Sequence, residues 1–544
     1  MSPLSLRSLF VLVFCSFALA PALQAQVPTG VPQFGSFQGG SIDTVNLATL
    51  NVHFEIPIRK TPGRGLPFSA ILNEENSHYS PYYVRGPGWD WALGSSSAPA
   101  TWFFSGWPVR TSVPFGIPTG NSVTVETCGD YAPWGGDVGA IQVTNNVLTV
   151  YTNNSGFQVG QIIQLNGLNP SSGFNGRNVT VASVSSDHFT ATFSGNLPYT
   201  EQVTGTAEVL TNLWNITGYT DIHNTVHGAG VPNKIDPYGC LYGTTSFSST
   251  SQDGYITTGS ISGLSNGRYT LTVTVTTPSG TVLNSGPMQG NILNGSLVAL
   301  SASTGTDTNG NQISVTNPST PPWTLAYTDA TGNNALNATT TYTSGVATGA
   351  TYSYTGPNNA TENVTVASTA LNFQTSFGCP GIGEFAYSGL RRANNISLPD
   401  GSSFQISYDT PGRVSSVTLP AGGTISYNYN GPNGGISCQD GGSSGFTRTT
   451  PDGTWTYARS YSTTTGVWTT TVTDPQGNNT VHTFSGPVDQ IWVQANGTTT
   501  IVQPEYEVQR QVYQLVNGNQ VLLETRNSIS MRRCLQAATR SATG

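Results

Sequence analysis

Two histidines four residues apart, His223 and His227, follow Asp221, and these side-chain types bind zinc. On a helix that spacing would stack both rings on one face. On a strand they share a face but sit about 13 Å apart at 3.3 Å per residue, and no third ligand stands nearby. The expectation is a solvent-facing pair with no metal. Gly441-Gly442-Ser443-Ser444-Gly445 satisfies G-x-S-x-G by letter. A nucleophile elbow needs a strand before the serine and a helix after it, but Phe446-Thr447-Arg448-Thr449 begins another strand. Gly381-Ile382-Gly383-Glu384-Phe385-Ala386 satisfies G-x-G-x-x-A, without the helix that dinucleotide binding requires. The Asp307-Thr308-Asn309-Gly310-Asn311 turn has oxygen ligands suited to calcium. It lacks a distal Glu, and a plain Asx-type turn is expected. Glycoside hydrolysis needs two carboxyl groups paired in space, and no motif selects a pair among 27 acids. Trp89, Trp91, Trp455 and Trp468 are the sugar-stacking candidates, although on the inner face of a strand the same rings would be core.

The elements that must position these residues are strands. Tyr269, Leu271, Val273 and Val275 alternate with Thr, and Phe404, Ile406 and Tyr408 with Gln and Ser. Ile425, Tyr427 and Tyr429 do the same, and Tyr506, Val508 and Val512 continue the pattern. Period two marks half-buried strands. Gly and Asn in Asp400-Gly401, Asp452-Gly453 and Asn517-Gly518 suit tight hairpins. After residue 25 no segment of period 3.6 is evident, so the expected fold is all-β and multi-domain. Strand-turn repeats would form an open sheet or spiral beside small sandwich-like modules.

Composition narrows the function. Only 8% of the 544 residues are charged, with net charge −8, against roughly a quarter charged in ordinary soluble domains. Two lysines, Lys60 and Lys234, and thinly spread arginines do not make a nucleic-acid surface. Aromatics at 10% argue against disorder. Met1–Ala25 reads as a secretory signal: Arg7, an apolar run from Leu9 to Leu19, then Ala20, Ala22 and Ala25. No later stretch is long and apolar enough for a membrane helix. Cys15 leaves with the signal. Cys128, Cys240, Cys379, Cys438 and Cys534 remain, an odd number that allows one or two bridges of undetermined pairing.

Six segments follow: the signal at 1–25, a β region at 26–139, and a small inserted β-module at 140–208. A Thr/Ser-rich β region covers 209–390, repeats cover 391–525, and 526–544 is an irregular tail. The tail has neither strand pattern nor turn signals, and reads either as a frayed terminus or as a lost reading frame or truncation. Leu398-Pro399-Asp400-Gly401, Leu419-Pro420-Ala421-Gly422, Thr450-Pro451-Asp452-Gly453 and Asp474-Pro475-Gln476-Gly477 recur as turn units. Asp-x-x-Gly-Asn recurs at Asp307, Asp329 and Asp474. Such spacing fits a strand-turn-strand array in which each unit buries its face on the next.

Within the array, Tyr408-Asp409-Thr410-Pro411-Gly412-Arg413-Val414 reads Tyr-Asp, two variable residues, Gly-Arg and an aliphatic. This resembles the YD repeat of RHS-repeat proteins, with Tyr408, Asp409, Gly412 and Arg413 as the motif residues. Tyr427-Asn428-Tyr429-Asn430-Gly431 resembles the next repeat with Asn for Asp. Asp43-Thr44-Val45-Asn46-Leu47, Pro57, Gly63-Arg64-Gly65-Leu66-Pro67 and Gly88-Trp89 resemble the amino-terminal region of such proteins. The resemblance covers about 50–110 and 390–525. It implies long strands spiralling into a hollow shell in secreted or surface proteins, among them bacterial toxins and tissue-contact proteins. In toxin members the shell encloses a carboxy-terminal toxic domain released by self-cleavage at an RHS core. This sequence departs from that pattern in having few repeats and no core, since Asn478-Asn479 follows Asp474-Pro475-Gln476-Gly477 where an aliphatic is expected.

The expectation is a secreted or cell-surface, non-enzymatic scaffold with no catalytic residue and no cofactor. It resembles the amino-terminal part of a β-shell around a missing carboxy-terminal cargo, or one that contacts cell-wall or surface glycans. The alternatives are a carbohydrate-binding surface protein and an extracellular glycan-degrading enzyme.

Overall fold

A computed structural model describes residues 36–528, apart from 77, 84–88, 95–108, 114–121, 130–131, 154–155, 169–172, 193–198, 217, 229–233, 242, 252, 294–295, 301, 317–323, 486–487, 495–496 and 503–505. The signal segment, Cys534 and the tail beyond Ser528 lie outside the described residues.

The period-two alternation is realised as an all-β fold. Among the described residues the only helical pieces are single turns at Pro357–Asn359 and Pro432–Gly435. Three sheets matter most. The first has five strands in the order Phe37–Gly39, Asp43–Asn46, Val52–Thr61, Phe68–Glu75 and Val109–Thr111.

The second sheet contains the stretch at 140–208 and reaches beyond it. Its pairings run from Ile162–Asn166 through Asn178–Val184, His188–Thr192, Val147–Thr152, Gly135–Thr144 and Tyr199–Asn215, then back to Ile162–Asn166. These six strands form a ring, which removes open edges and encloses Ile141, Val150, Ile163, Phe189 and Val209, each 0% exposed. Ser122–Thr127 and Lys234–Ile235 add to the far end of Tyr199–Asn215. Cys128 and Cys240 follow those two strands and are joined by a disulfide.

The third sheet has 22 strands and runs from Ser246–Thr250 to Asn519–Asn527. Nearly every strand pairs antiparallel with its sequence neighbours, and the sheet crosses residue 390 without a break. Ile382–Gly383 departs from it to pair in parallel with Trp89–Gly94.

One turn recurs along this sheet. At Ser251, Thr277, Asp307, Asp329, Leu398, Asp409, Leu419 and Asp474, residue i donates its N–H to the i+4 carbonyl. The glycine at i+3 donates back to residue i. That glycine has φ between 82° and 99° at all eight positions. This is a three-residue hairpin loop ending in a left-handed residue, where glycine escapes the Cβ clash. Asp at the first position adds its carboxylate as acceptor: Asp307 Oδ1 takes the Asn309 and Asn311 amides at 2.9 Å. The four Pro-containing units are not one class. Thr450-Pro451-Asp452-Gly453 pairs Thr450 directly with Gly453, leaving a two-residue loop, although its glycine stands at the same fourth position as in the longer loops.

The five-stranded sheet and the 22-stranded sheet share one core. Phe54 meets Tyr427 edge-on at 5.6 Å, and Phe68 meets Tyr327 at 5.6 Å. Val45, Val52, Leu72, Ile313, Leu336, Ile396, Val417 and Phe446 are all at 0% exposure in that cluster. Burial of this apolar face is the main force joining the two sheets, at roughly 25 cal/mol per Å².

Candidate functional site

The Tyr-Asp-x-x-Gly-Arg segment is a self-assembling hairpin. Asp409 Oδ1 accepts the Gly412 amide at 2.9 Å and the Arg413 amide at 2.7 Å, while Oδ2 accepts Arg413 Nε at 2.8 Å. Gly412 has φ 99°, and a Cβ there would come within 2.7 Å of Phe373. Tyr408 donates its hydroxyl to the Ala393 carbonyl at 2.7 Å on the preceding strand. Arg413 also donates to the Gly434 carbonyl at 2.9 Å and lies 4.0 Å over the Tyr429 ring. The motif residues thus set a turn and fasten it to its neighbours.

A line of buried polar contacts then ties these repeat strands to the five-stranded sheet. Arg448 grips Asp43 through Nε at 2.5 Å and Nη2 at 2.8 Å, and the Tyr427 hydroxyl donates to the same carboxylate at 2.6 Å. Burial opposes the Arg448 charge, but the Asp43 hydrogen bonds and charge raise its pKa. Arg459 binds Asp440 at 2.6 Å and the Ala48 carbonyl at 2.7 Å, lying 3.5 Å over Trp468. Thr470 donates to the Leu47 carbonyl at 2.7 Å, and Arg392 to Glu74 at 3.1 Å. Ser36 donates to Glu507.

The densest ionisable cluster lies at one end of this seam. His53 Nδ1 meets Glu75 at 2.7 Å and Nε2 meets Glu55 at 3.0 Å; the same Glu55 oxygen takes His223 Nδ1 at 2.8 Å. Burial would lower the His53 pKa, but Glu75 and Glu55 raise it to about 10. Burial would raise Glu55, yet the two imidazoles hold it at about 2. Glu74 is pushed up to about 7 by burial, against the pull of Arg392. Asn224 Nδ2 joins Glu75 at 3.2 Å, and Arg110 Nη2 joins Asn224 at 2.9 Å.

His227 lies in the hairpin of Gly218–Thr220 and Val226–Gly228. It is 2% exposed, its ring stacked 3.7 Å from Tyr255, with Asp253 on Nδ1 and Asp221 on Nε2 at 3.2 Å. Burial opposes its charge, and the two aspartates raise its pKa. The expected solvent-facing pair is therefore corrected: His223 is half-exposed, but His227 is buried between carboxylates, because the hairpin folds onto the Ser251–Tyr255 turn. His53 and His227 each have both ring nitrogens committed to carboxylates, which makes them structural cations and leaves no lone pair for base catalysis. Among the described residues no group of three or more His, Cys, Asp or Glu could hold a metal ion.

The other candidates are placed as follows. Ser443 donates to the Gly435 carbonyl at 3.1 Å and accepts the Gly445 amide at 3.2 Å, so its hydroxyl is spent within the loop. The strand Gly445–Thr450 follows it. Glu384 caps the Phe377 and Gly378 amides at 2.8 Å each, which gives the Gly381–Ala386 segment a structural reason. Trp468 is 1% exposed, so it is core and offers no face to a sugar. Trp455 is half-buried with Arg448 5.5 Å above its ring. Trp89 and Trp91 lie on Trp89–Gly94, but their side chains fall outside the described residues. A recess lined by Asn51, Asn76, Arg413, Tyr429, Gly442 and Ser443 joins the repeat turn to the amino-terminal sheet. The group of buried Asp43, His53, Glu74 and Glu75 with half-buried Glu55 was missed by sequence reasoning. Its signal was present: acids are scarce in this chain, yet five ionisable residues stand among apolar ones on three adjoining strands.

No protein-family model and no curated protein matches the chain. Among solved structures, it is similar to one described as "Crystal Structure of TcdB2-TccC3-TEV", at 10% identity and a TM-score of 0.20, over 96% of this chain and 28% of that one. The chain thus spans about 28% of the length of that structure's chain.

Proposed function

We propose that this chain is a secreted or cell-surface scaffold of the RHS/YD-repeat kind. It is non-enzymatic and serves as part of a β-shell that surrounds a carboxy-terminal cargo or contacts surface glycans. The observation that carries the reading is the Asp409–Arg413 turn. Every motif residue in it has a mechanical task, and it lies within one unbroken antiparallel sheet fastened to the amino-terminal strands. Export is supported by the leader pattern and by the Cys128–Cys240 and Cys379–Cys438 bridges, which suit an oxidising compartment. A non-enzymatic role is supported by the full engagement of His53, His227 and Ser443. Among the described residues no helix is long and apolar enough to cross a membrane.

The test is fractionation of the producing cell with an antibody against residues 391–520. The expected result is a product in the medium or on the surface, shortened by its leader and shifted in mobility by reduction. An unprocessed, reduced product confined to the cytosol overturns the reading.

A further inference from the structure

Two glycine-rich loops leave the 22-stranded sheet beside the motif turn. One, residues 375–385, connects Thr361–Gln374 to Ala386–Ser397, and the other, residues 429–444, connects Thr424–Asn428 to Gly445–Thr450. Cys379 in the first and Cys438 in the second are joined by a disulfide. The apolar contact around that bridge is small. Phe377, Cys379 and Ile436 are its three buried members, and Ile382, Phe385 and Cys438 are half-buried against them. Each loop also grips the amino-terminal strands. Ile382–Gly383 pairs with Trp89–Gly94, and among the described residues it is the one strand partner that the His78–Tyr83 and Trp89–Gly94 hairpin has outside itself. On the second loop, Ser443 donates its amide to the Thr49 carbonyl at 3.1 Å, and Asp440 accepts Arg459 Nη2 at 2.6 Å. Cys128–Cys240 has a different setting: both residues are buried, in a cluster of nineteen buried residues that fills the six-stranded ring.

We propose that Cys379–Cys438 is a redox clasp, opened by a dithiol reductant while Cys128–Cys240 stays closed. A thiolate reaches a disulfide either directly or after local opening, and local opening is easiest where few apolar side chains must separate. Both routes favour the bridge with a half-buried cysteine and three buried neighbours over the one set among nineteen. The reductant's thiolate bonds to Cys438 Sγ, the bond between the two cysteines breaks, and the electron pair leaves on Cys379 Sγ. The second thiol of the reductant then displaces Cys438. The products are an oxidised dithiol and two cysteine thiols, which take up the two protons the reductant gave. With the bridge gone, so small an apolar contact does not offset the loop entropy that returns. The two loops part, and the Trp89–Gly94 hairpin loses its anchored partner, while the pairings of the large sheet persist. The clasp follows from the setting of the bridge and does not depend on the scaffold reading.

The test is graded reduction of the full chain. Free thiols are blocked with N-ethylmaleimide, dithiothreitol is added at rising concentration, and the thiols released are tagged with iodoacetamide and located by peptide mass spectrometry. The expected first product carries tags at Cys379 and Cys438, with Cys128 and Cys240 still joined. In that product thermolysin cuts within 375–385 or 429–444 at least about tenfold faster than in the oxidised chain. Cys379→Ser with Cys438→Ser reproduces that cleavage without reductant. Reduction of Cys128–Cys240 first or in the same step overturns the proposal. So do loops that stay protected once the tags have reached Cys379 and Cys438, an outcome read on the wild-type chain whether or not the double variant folds.

Discussion

Asp409–Arg413 and Asp43–Arg448 join the same two functional groups at opposite reach. The first pair is four residues apart and closes its own turn. The second is 405 residues apart and joins two sheets. Asp409 keeps two backbone amides when its arginine is lost, and its side chain is 21% exposed to water. Asp43 is 0% exposed and depends on Arg448 and Tyr427 for most of its solvation. Chemistry is thus shared, while the cost of breaking it is set by what else each carboxylate can reach.

The largest expected effect follows from that asymmetry. Arg448→Ala strands a buried carboxylate and costs about 3–5 kcal/mol, against about 1–2 kcal/mol for Arg413→Ala. Denaturant melts of both variants measure the gap, and equal losses break the comparison. Arg448→Met with Asp43→Leu should cost less than Arg448→Ala alone, since no charge is left behind.

The Glu74–Arg392 pair sharpens the point, because there burial outweighs the partner. A carboxyl raised from 4.5 to about 7 is carried at no loss below pH 4.5, where both states are protonated. Stability then falls between pH 4.5 and 7 by about 3 kcal/mol, as folding must take up a proton to neutralise it. Glu55 works the other way: its contribution is present above pH 4.5 and fades as pH falls toward 2. His53 contributes fully below pH 6.5 and loses that contribution as pH rises through about 10. Unfolding free energy measured against pH should slope downward from pH 4.5 to 7, and Glu74→Gln should flatten that slope. An unchanged slope assigns it to other groups.

The smallest effect compares two copies of one turn. Gly310 at φ 82° has open space where a Cβ would go, so Gly310→Ala costs only the left-handed backbone penalty, about 1 kcal/mol. Gly412→Ala adds a collision with Phe373 and should cost about 2–3 kcal/mol. Equal melting shifts for the two would mean that the Phe373 contact carries no weight.

What the sequence disclosed divides along the same line of reach. Alternation and glycine placement are local, so the all-β fold and the Asp307, Asp409 and Asp474 turns were legible. Grouping Thr450-Pro451-Asp452-Gly453 with the longer loops failed because the same letters, with glycine at the same fourth position, close a tighter pairing of Thr450 with Gly453. The burial of His227 depends on Asp253 and Tyr255, nearly thirty residues on, and no spacing rule reaches them. The disulfide pairings, separated by 112 and 59 residues, and the His53–Glu75–His223 cluster needed the folded strands to bring their members together. Trp468 carried an aromatic's ambiguity between sugar platform and core, which Arg459 above its ring resolves.

The seam also fixes an order in time. Residues 36–76 leave the ribosome well before the groups that cover them, which lie between Ile313 and Glu507. At about 5–20 residues per second, roughly tens of seconds separate the two events. Throughout that interval Phe54, Ile56, Phe68 and Leu72 have no repeat strands to bury them. This early-made segment is therefore completed late, and its safety during synthesis depends on a clock rather than on the strength of the finished contacts.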